Sequence, residues 1–232
     1  MYRVEDKYLC RERELVLLQE RLKNVLRTDV NQKNDTGYTI TSIYFDDLFD
    51  SHLSDTIEGV GQRQKYRIRI YNNSLDVIKL EVKYKKYNRV MKKSCIISED
   101  DMRILLLGKC IKMNDISMDN PIALFNLAIR NRGLRPKVIV EYNRKAFVFP
   151  SGNVRITLDR RLRAGNQIEN FGKKGIVLNE IKEAQNVLEV KYDEFLPGFI
   201  AQLLEIDNMH QTSYSKYRLC REKIESSFGT TY

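Results

Sequence analysis

Arg63-Gln64-Lys65-Tyr66-Arg67-Ile68-Arg69-Ile70 sets a cation at every second position, with large apolar residues between the later ones. Side chains of a β-strand alternate between faces, so the four cations share one face while Tyr66, Ile68 and Ile70 share the other. The cationic face cannot be a dry core. Neighbouring cations about 7 Å apart repel by roughly 2 kcal/mol per pair at an effective dielectric near 20, so the row needs counter-charge, and a polyanion would supply it.

Four other segments repeat the pattern. Arg3, Glu5 and Lys7 share a face, as do Glu81, Lys83 and Lys85 opposite Leu80, Val82 and Tyr84. Arg155, Thr157, Asp159 and Arg161 alternate with Val154, Ile156 and Leu158, and Glu189 and Lys191 alternate with Leu188, Val190 and Tyr192. One such strand is an ordinary sheet with its polar side in water. As a set, with arginine and lysine dominating and a few carboxylates among them, they fit a barrel whose polar faces line a watery interior while helices cover the apolar exterior.

Around these strands the spacing of Leu15, Leu18, Leu22 and Leu26 predicts an amphipathic helix after a first strand at about 2–9. A polar loop at 31–37 leads to a strand at 38–45. Strands at about 63–71, 77–86 and 89–97, separated by Asn72-Asn73-Ser74 and Tyr87-Asn88, predict an antiparallel meander. Ser98 followed by Glu99, Asp100 and Asp101 starts a helical hairpin reaching about Arg132. Two long strands, about 137–149 and 154–164, turn at Pro150-Ser151-Gly152-Asn153, and one or two more end at 187–192. Helices follow from Pro197 to about Ile206 and over 215–226. The fold class is α+β: one domain over 1–232, an antiparallel barrel with helices outside and at its ends.

The chain has 232 residues, enough for a core without disulfides, and 40 basic against 31 acidic residues give a formal charge of +9. That charge suits nucleic acid, nucleotide, polyphosphate or acidic lipid alike. Cys10, Cys95, Cys110 and Cys220 form no CxxC pair, which predicts reduced thiols rather than a zinc site or disulfide framework. The opening residues contain no apolar signal core, and no stretch approaches the roughly 18 apolar residues of a membrane span, so a soluble, cytoplasmic protein is expected, with a membrane-bound partner left open. There is no GxxxxGK[ST]; Gly59-Val60-Gly61 does not complete a dinucleotide fingerprint; and His52 and His210 have no triad or HExxH spacing. Tyr44, Tyr66 and Tyr142 sit beside apolar residues and read as core rather than as base-stacking platforms.

A cationic interior suits a string of phosphates: arginine forks bind phosphate oxygens bidentately and lysines act as point charges. Glu189 fits either a salt bridge to lysine or an oxygen ligand for Mg²⁺ or Mn²⁺. In order, Arg3-x-Glu5-x-Lys7-Tyr8, Ser42-Ile43-Tyr44-Phe45-Asp46, Arg63-x-Lys65-x-Arg67-x-Arg69, Glu81-x-Lys83-x-Lys85, Glu141-Tyr142-Asn143-Arg144, Arg155-Ile156-Thr157-Leu158-Asp159, Leu188-Glu189-Val190-Lys191-Tyr192 and Ser215-Lys216-Tyr217 resemble the VTC domain. This is the polyphosphate polymerase domain of the vacuolar transporter chaperone complex and its bacterial relatives, within the triphosphate tunnel metalloenzymes.

The resemblance implies a tunnel of about eight antiparallel strands in which the terminal phosphoryl group of ATP passes to a growing polyphosphate chain. By position it assigns Lys7, Arg67, Arg69, Lys83, Lys92, Arg144 and Lys216 to the reacting phosphates. Tyr142 and Ser215 complete the site, Glu189 holds the metal, and Arg63 and Lys65 serve as contacts at the tunnel mouth. Arg3, Lys85, Arg155 and Lys191, on the same strand faces, are expected to bind further substrate. ATP and polyphosphate are the implied partners, and a narrow tunnel would exclude nucleic-acid bases; no signal sets the oligomeric state. Arg3 stands where the hydrolase branch carries the first glutamate of Glu-x-Glu-x-Lys, which favours the polymerase branch. Ser94 and Ser213 stand where relatives often carry arginine and lysine, each removing a tunnel cation. A tunnel triphosphatase and a non-catalytic module binding polyphosphate or another phosphorylated ligand are the alternatives.

Overall fold

A computed structural model describes residues 1–30, 32, 36–112, 117, 119–205 and 209–228. Most of the polar loop expected at 31–37, and the end of the helix expected to reach Ile206, lie outside the described residues.

The described residues contain ten strands: β1 (Arg3–Cys10), β2 (Arg27–Thr28), β3 (Tyr38–Asp46), β4 (Gln62–Tyr71), β5 (Ser74–Lys86), β6 (Arg89–Ile97), β7 (Arg135–Phe149), β8 (Val154–Gly165), β9 (Asn179–Glu180) and β10 (Asn186–Tyr192). Every pairing is antiparallel. The order β7-β3-β4-β5-β6-β1-β10-β8 returns to β7 through the β7–β8 ladder, so eight strands close on themselves; β2 and β9 pair beside the ring. The expected meander is β4-β5-β6. Its first turn is tighter than the expected strand start allows. Asn72 and Asn73 both take positive φ, 52° and 54°, a two-residue hairpin that starts β5 at Ser74.

Among the described residues the helices are α1 (Glu12–Lys23), α2 (Ser51–Ile57), α3 (Glu99–Leu106), α4 (Pro121–Arg132), α5 (Gly198–Leu204) and α6 (Lys216–Phe228). Ser98 caps α3 by accepting from the Asp101 N–H at 3.0 Å, and Asn120 with Pro121 opens α4. The outward strand faces are apolar and covered. Ile43, Ile68 and Leu80 pack with Met102 and Leu105 of α3 and Phe125 of α4, while Leu15, Leu18 and Leu22 of α1 pack with Ile156, Leu188, Val190 and Ile200.

A third cluster lies within the ring. Val138, Val140 and Tyr142, on the inward side of β7, join Tyr44, Leu162 and Ala164 around Tyr217 and Cys220 of α6. The helix therefore seals part of the barrel with hydrocarbon while the remainder stays polar. One expected strand face is broken: the β7–β8 ladder shifts register between Glu141 and Asn143, and Arg161 takes φ 54°. This bulge turns Arg161 outward and leaves Arg155, Thr157 and Asp159 as the inward residues of β8.

Candidate active site: a cationic tunnel

The polar part of the barrel encloses a cavity of about 510 Å³. Fourteen lysines and arginines line it, against two carboxylates, Glu5 and Glu189. Strand alternation places them: Arg3, Glu5 and Lys7 come from β1, Arg63 to Arg69 from β4, Lys79, Lys83 and Lys85 from β5, Lys92 from β6, Arg144 from β7, Arg155 from β8, and Glu189 and Lys191 from β10. The segment before α6 closes one wall with Thr212, Ser213, Tyr214 and Ser215, followed by Lys216.

All sixteen residues singled out from the sequence line this one cavity. Lys65 lines the cavity beside the segment before α6, its Nζ donating to Ser215 Oγ at 2.9 Å. Tyr66 packs in the outer core as expected, but Tyr44 and Tyr142 face the cavity. Tyr44 OH accepts from Arg67 at 2.9 Å, and Tyr142 OH accepts from Arg69 at 3.4 Å.

Buried carboxylates hold many of the cations. Glu81, fully buried at 0% exposure, accepts from Arg67 Nε at 2.6 Å and Lys92 Nζ at 2.7 Å and lies 3.9 Å from Arg69. Asp159 takes a two-pronged bond from Arg144 at 2.6 and 2.7 Å and a third from Lys216 at 2.7 Å. Glu5 accepts from Lys83 at 2.7 Å, and Glu189 accepts from Lys191 at 2.5 Å. Arg3 reaches Asp193 at 2.9 Å, and Arg155 meets Asp29. The counter-charge that the cation rows require is thus partly internal.

Burial alone would raise these carboxyls, yet the surrounding cations win: Glu81, beside Arg67 and Arg69, and Glu189, beside Lys191 and Lys7, are held well below the usual carboxylate range. Four lysines, Lys65, Lys83, Lys85 and Lys92, move down, whereas Lys7, whose burial is outweighed by Glu5 and Glu189, moves up. Burial, opposed by Glu5 and reinforced by Lys7, pushes Lys83 down to about 7, and burial opposed by Glu81 brings Lys92 to about 8. Lys65 falls well below its ordinary value because burial and the charges of Lys7 and Lys83 act together. An arriving anion would relieve all of these penalties.

The VTC domain sequence pattern matches residues 2–224. The chain belongs to the VTC domain family. No curated protein matched its sequence significantly. Among solved structures, this VTC domain resembles a Hippeastrum protein named for adenylyl cyclase and described as having a dominant triphosphatase activity. The two share 14% identity over 96% of this chain and 95% of that one, with a TM-score of 0.54. A Bacillus halodurans protein named for adenylate cyclase has 14% identity over 88% and 86% of the two chains, TM-score 0.53. The PH1819 protein of Pyrococcus horikoshii has 15% identity over 95% and 99%, TM-score 0.50. At such identities the likeness is one of fold, the closed antiparallel sheet with its outer helices.

The donor set for a divalent cation is small. Among the described residues no three His, Cys, Asp or Glu side chains gather as a metal cage. Glu189 and Glu5 do converge: Lys7 Nζ lies 3.8 Å from one and 3.4 Å from the other, and Lys191 Nζ lies 2.5 and 3.3 Å from them. One or two carboxylates are what Mg²⁺ or Mn²⁺ uses when water and phosphate complete its shell, so the pair fits a metal that arrives with its substrate.

Of the two serines that the resemblance singled out, Ser213 lines the cavity of this VTC domain, whereas Ser94 is exposed opposite Glu81. Lys79 was missed, although it continues the alternation of Glu81, Lys83 and Lys85 by one step. Tyr38, Tyr71 and Tyr214 carry no such signal, because a tyrosine on an inward face reads the same as one in a core.

Proposed function

We propose that this VTC domain is a metal-dependent polyphosphate polymerase that binds the triphosphate of ATP in its tunnel and transfers the terminal phosphoryl group to a growing polyphosphate chain. The observation that carries the reading is the excess of fourteen cations over two carboxylates around one enclosed cavity. In this reading Lys7, Arg67, Arg69, Lys83, Lys92, Arg144 and Lys216 hold the reacting phosphates, because phosphoryl transfer asks for positioning and charge neutralisation rather than a nucleophilic side chain. Arg3, Arg63, Lys65, Lys85, Tyr142, Arg155, Lys191 and Ser215 hold the rest of the substrates, with arginines forking onto phosphate oxygens. Glu189, helped by Glu5, receives Mg²⁺ or Mn²⁺, which when bound neutralises charge on the phosphate oxygens. The work of the chain is to keep the guanidinium and ammonium groups preset by Glu81 and Asp159, so that little rearrangement is needed when phosphate arrives. The reading places the protein in the cytoplasm, where ATP is supplied, and excludes nucleic acid because bases do not fit a narrow tunnel; a membrane-protein partner would serve translocation.

Incubation with ATP and Mn²⁺ tests the proposal. ADP together with a phosphate ladder on a gel is the expected result; stable ATP would refute catalysis. Free phosphate without polymer would favour a tunnel triphosphatase, a reading supported by the paired carboxylates Glu5 and Glu189, two oxygen donors of the kind that metal-assisted hydrolysis uses. Thermal stabilisation by polyphosphate without turnover would leave a binding module.

A further inference from the structure

Leu48 and Phe49, in the turn from β3 into α2, are 67% and 87% exposed, and neither lines the tunnel. Exposed apolar side chains are ordinary in a loose loop, but this turn is tightly held. The Asp46 carboxylate accepts the N–H groups of Asp47, His52 and Leu53, and the Asp47 carboxylate accepts those of Phe49 and Ser51, at 2.9 to 3.0 Å. Both aspartates are buried, so the two apolar side chains are presented on a fixed base. Leu48 lies against Gly133 at the end of α4, where a Cβ would come within 2.8 Å of its Cγ. Two residues on, the Arg135 side chain crosses Gly108, which follows Leu107. Leu107 is 68% exposed, and Leu127 of α4 is 44% exposed. Among these four apolar residues stand Arg130, Arg132, Arg135 and Lys109, all exposed and none ion-paired among the described residues. The negative end of the α4 dipole explains Arg130 and Arg132, but neither the other two cations nor the exposed apolar residues. The remaining carboxylate of the turn, Asp50, is already taken by Lys137 at 2.9 Å and by a two-pronged bond from Arg221.

We propose that this face docks on an anionic phospholipid bilayer, with Leu48 and Phe49 entering between the headgroups and the four cations meeting lipid phosphates. A bilayer receives a projecting apolar turn without a preformed groove, and moving leucine and phenylalanine from water to its hydrocarbon edge is favourable. Guanidiniums that lack a carboxylate partner can fork onto headgroup phosphates, and a negatively charged leaflet concentrates them there. The two parts act together: a few apolar side chains alone hold a protein weakly, and exposed charges alone are screened by salt. The face shares no residue with the tunnel wall, so docking is independent of the chemistry inside the barrel.

Vesicle flotation with the whole chain tests this. Protein should float with vesicles of phosphatidylcholine and phosphatidylglycerol, and little should float with phosphatidylcholine alone. Leu48→Ser combined with Phe49→Ser should weaken binding about tenfold or more, and Arg130→Gln combined with Arg132→Gln about fivefold per charge. Circular dichroism melts show that the variants are folded. The sequence contains no tryptophan, so Phe49→Trp reports from the turn alone, and its emission should move to shorter wavelength when anionic vesicles are added. Because the tunnel is itself cationic, flotation is repeated with tripolyphosphate at fixed ionic strength, which should leave it unchanged. Binding that tripolyphosphate abolishes, or that survives Leu48→Ser with Phe49→Ser in folded protein, would overturn the docking face. Failure to float with either vesicle would do the same. An emission shift that follows protein concentration without lipid would assign the face to a second copy of the chain and overturn the bilayer.

Discussion

Arg69 is one of the most enclosed guanidiniums of the tunnel, 6% exposed, yet its close partners are the neutral hydroxyls of Ser42 at 3.1 Å and Tyr142 at 3.4 Å, with Glu81 only at 3.9 Å. It is preset without being neutralised, which is the state in which a phosphate gains most from it. Arg69→Ala should weaken tripolyphosphate binding by about 1.5 to 3 kcal/mol, or roughly ten- to a hundred-fold in affinity by titration calorimetry. Glu189 is bound on both sides by Lys191 and Lys7. Glu189→Gln removes a metal donor but also frees those cations, so metal-dependent turnover of ATP should fall by more than the affinity for tripolyphosphate. Equal loss of both would show that Glu189 acts only through its ion pairs. At this scale the sequence was informative where charge alternated strictly, as in Arg63 to Arg69. It was uninformative for Tyr44 and Tyr142, whose rings suit a core and a tunnel wall equally.

At the scale of elements, the β4–β5–β6 register sets like charges opposite one another. Lys65 faces Lys83, Arg63 faces Lys85, and Lys83 faces Lys92; Arg67 opposite Glu81 is the exception. Like charges directly opposite destabilise a ladder, so the meander depends on the one buried acid that joins Arg67 to Lys92. Glu81→Gln should therefore lower the melting temperature of the ligand-free protein, and saturating tripolyphosphate should restore much of the loss, because the ligand then supplies the missing negative charge. A melting temperature unaffected by the ligand would place the cations away from the bound phosphates. The seal formed by α6 depends on Asp46, which ends β3 and accepts from Tyr217 OH at 2.5 Å as well as from the Leu53 N–H of α2. Tyr217→Phe should loosen α6 and speed amide exchange there, with the outer core over α3 and α4 unchanged.

For the whole molecule, the tunnel stores electrostatic repulsion that shows in stability. With Lys83 brought to about 7 and Lys92 to about 8, the unfolded chain, whose lysines titrate near 10, binds more protons than the folded one through the interval between. Stability of the ligand-free protein should therefore rise with pH from about 7 toward 10, and tripolyphosphate should flatten that rise by keeping the lysines protonated. The lowered carboxyls of Glu81 and Glu189 work in the opposite range. Their contribution is present above the unfolded value near 4 and lost as pH falls below it, giving acid unfolding. Denaturant melts across pH with and without tripolyphosphate check both slopes. The amino-acid order alone determined most of the strands and the cationic character of their inward faces, because alternation in an extended chain is a local property. The strand order that closes the ring, the bulge that turns Arg161 outward, the α6 seal and the meeting of Lys65 with Ser215 were decided only in three dimensions. Each depends on groups brought together from distant parts of the chain, and one-dimensional spacing does not encode which of them will meet.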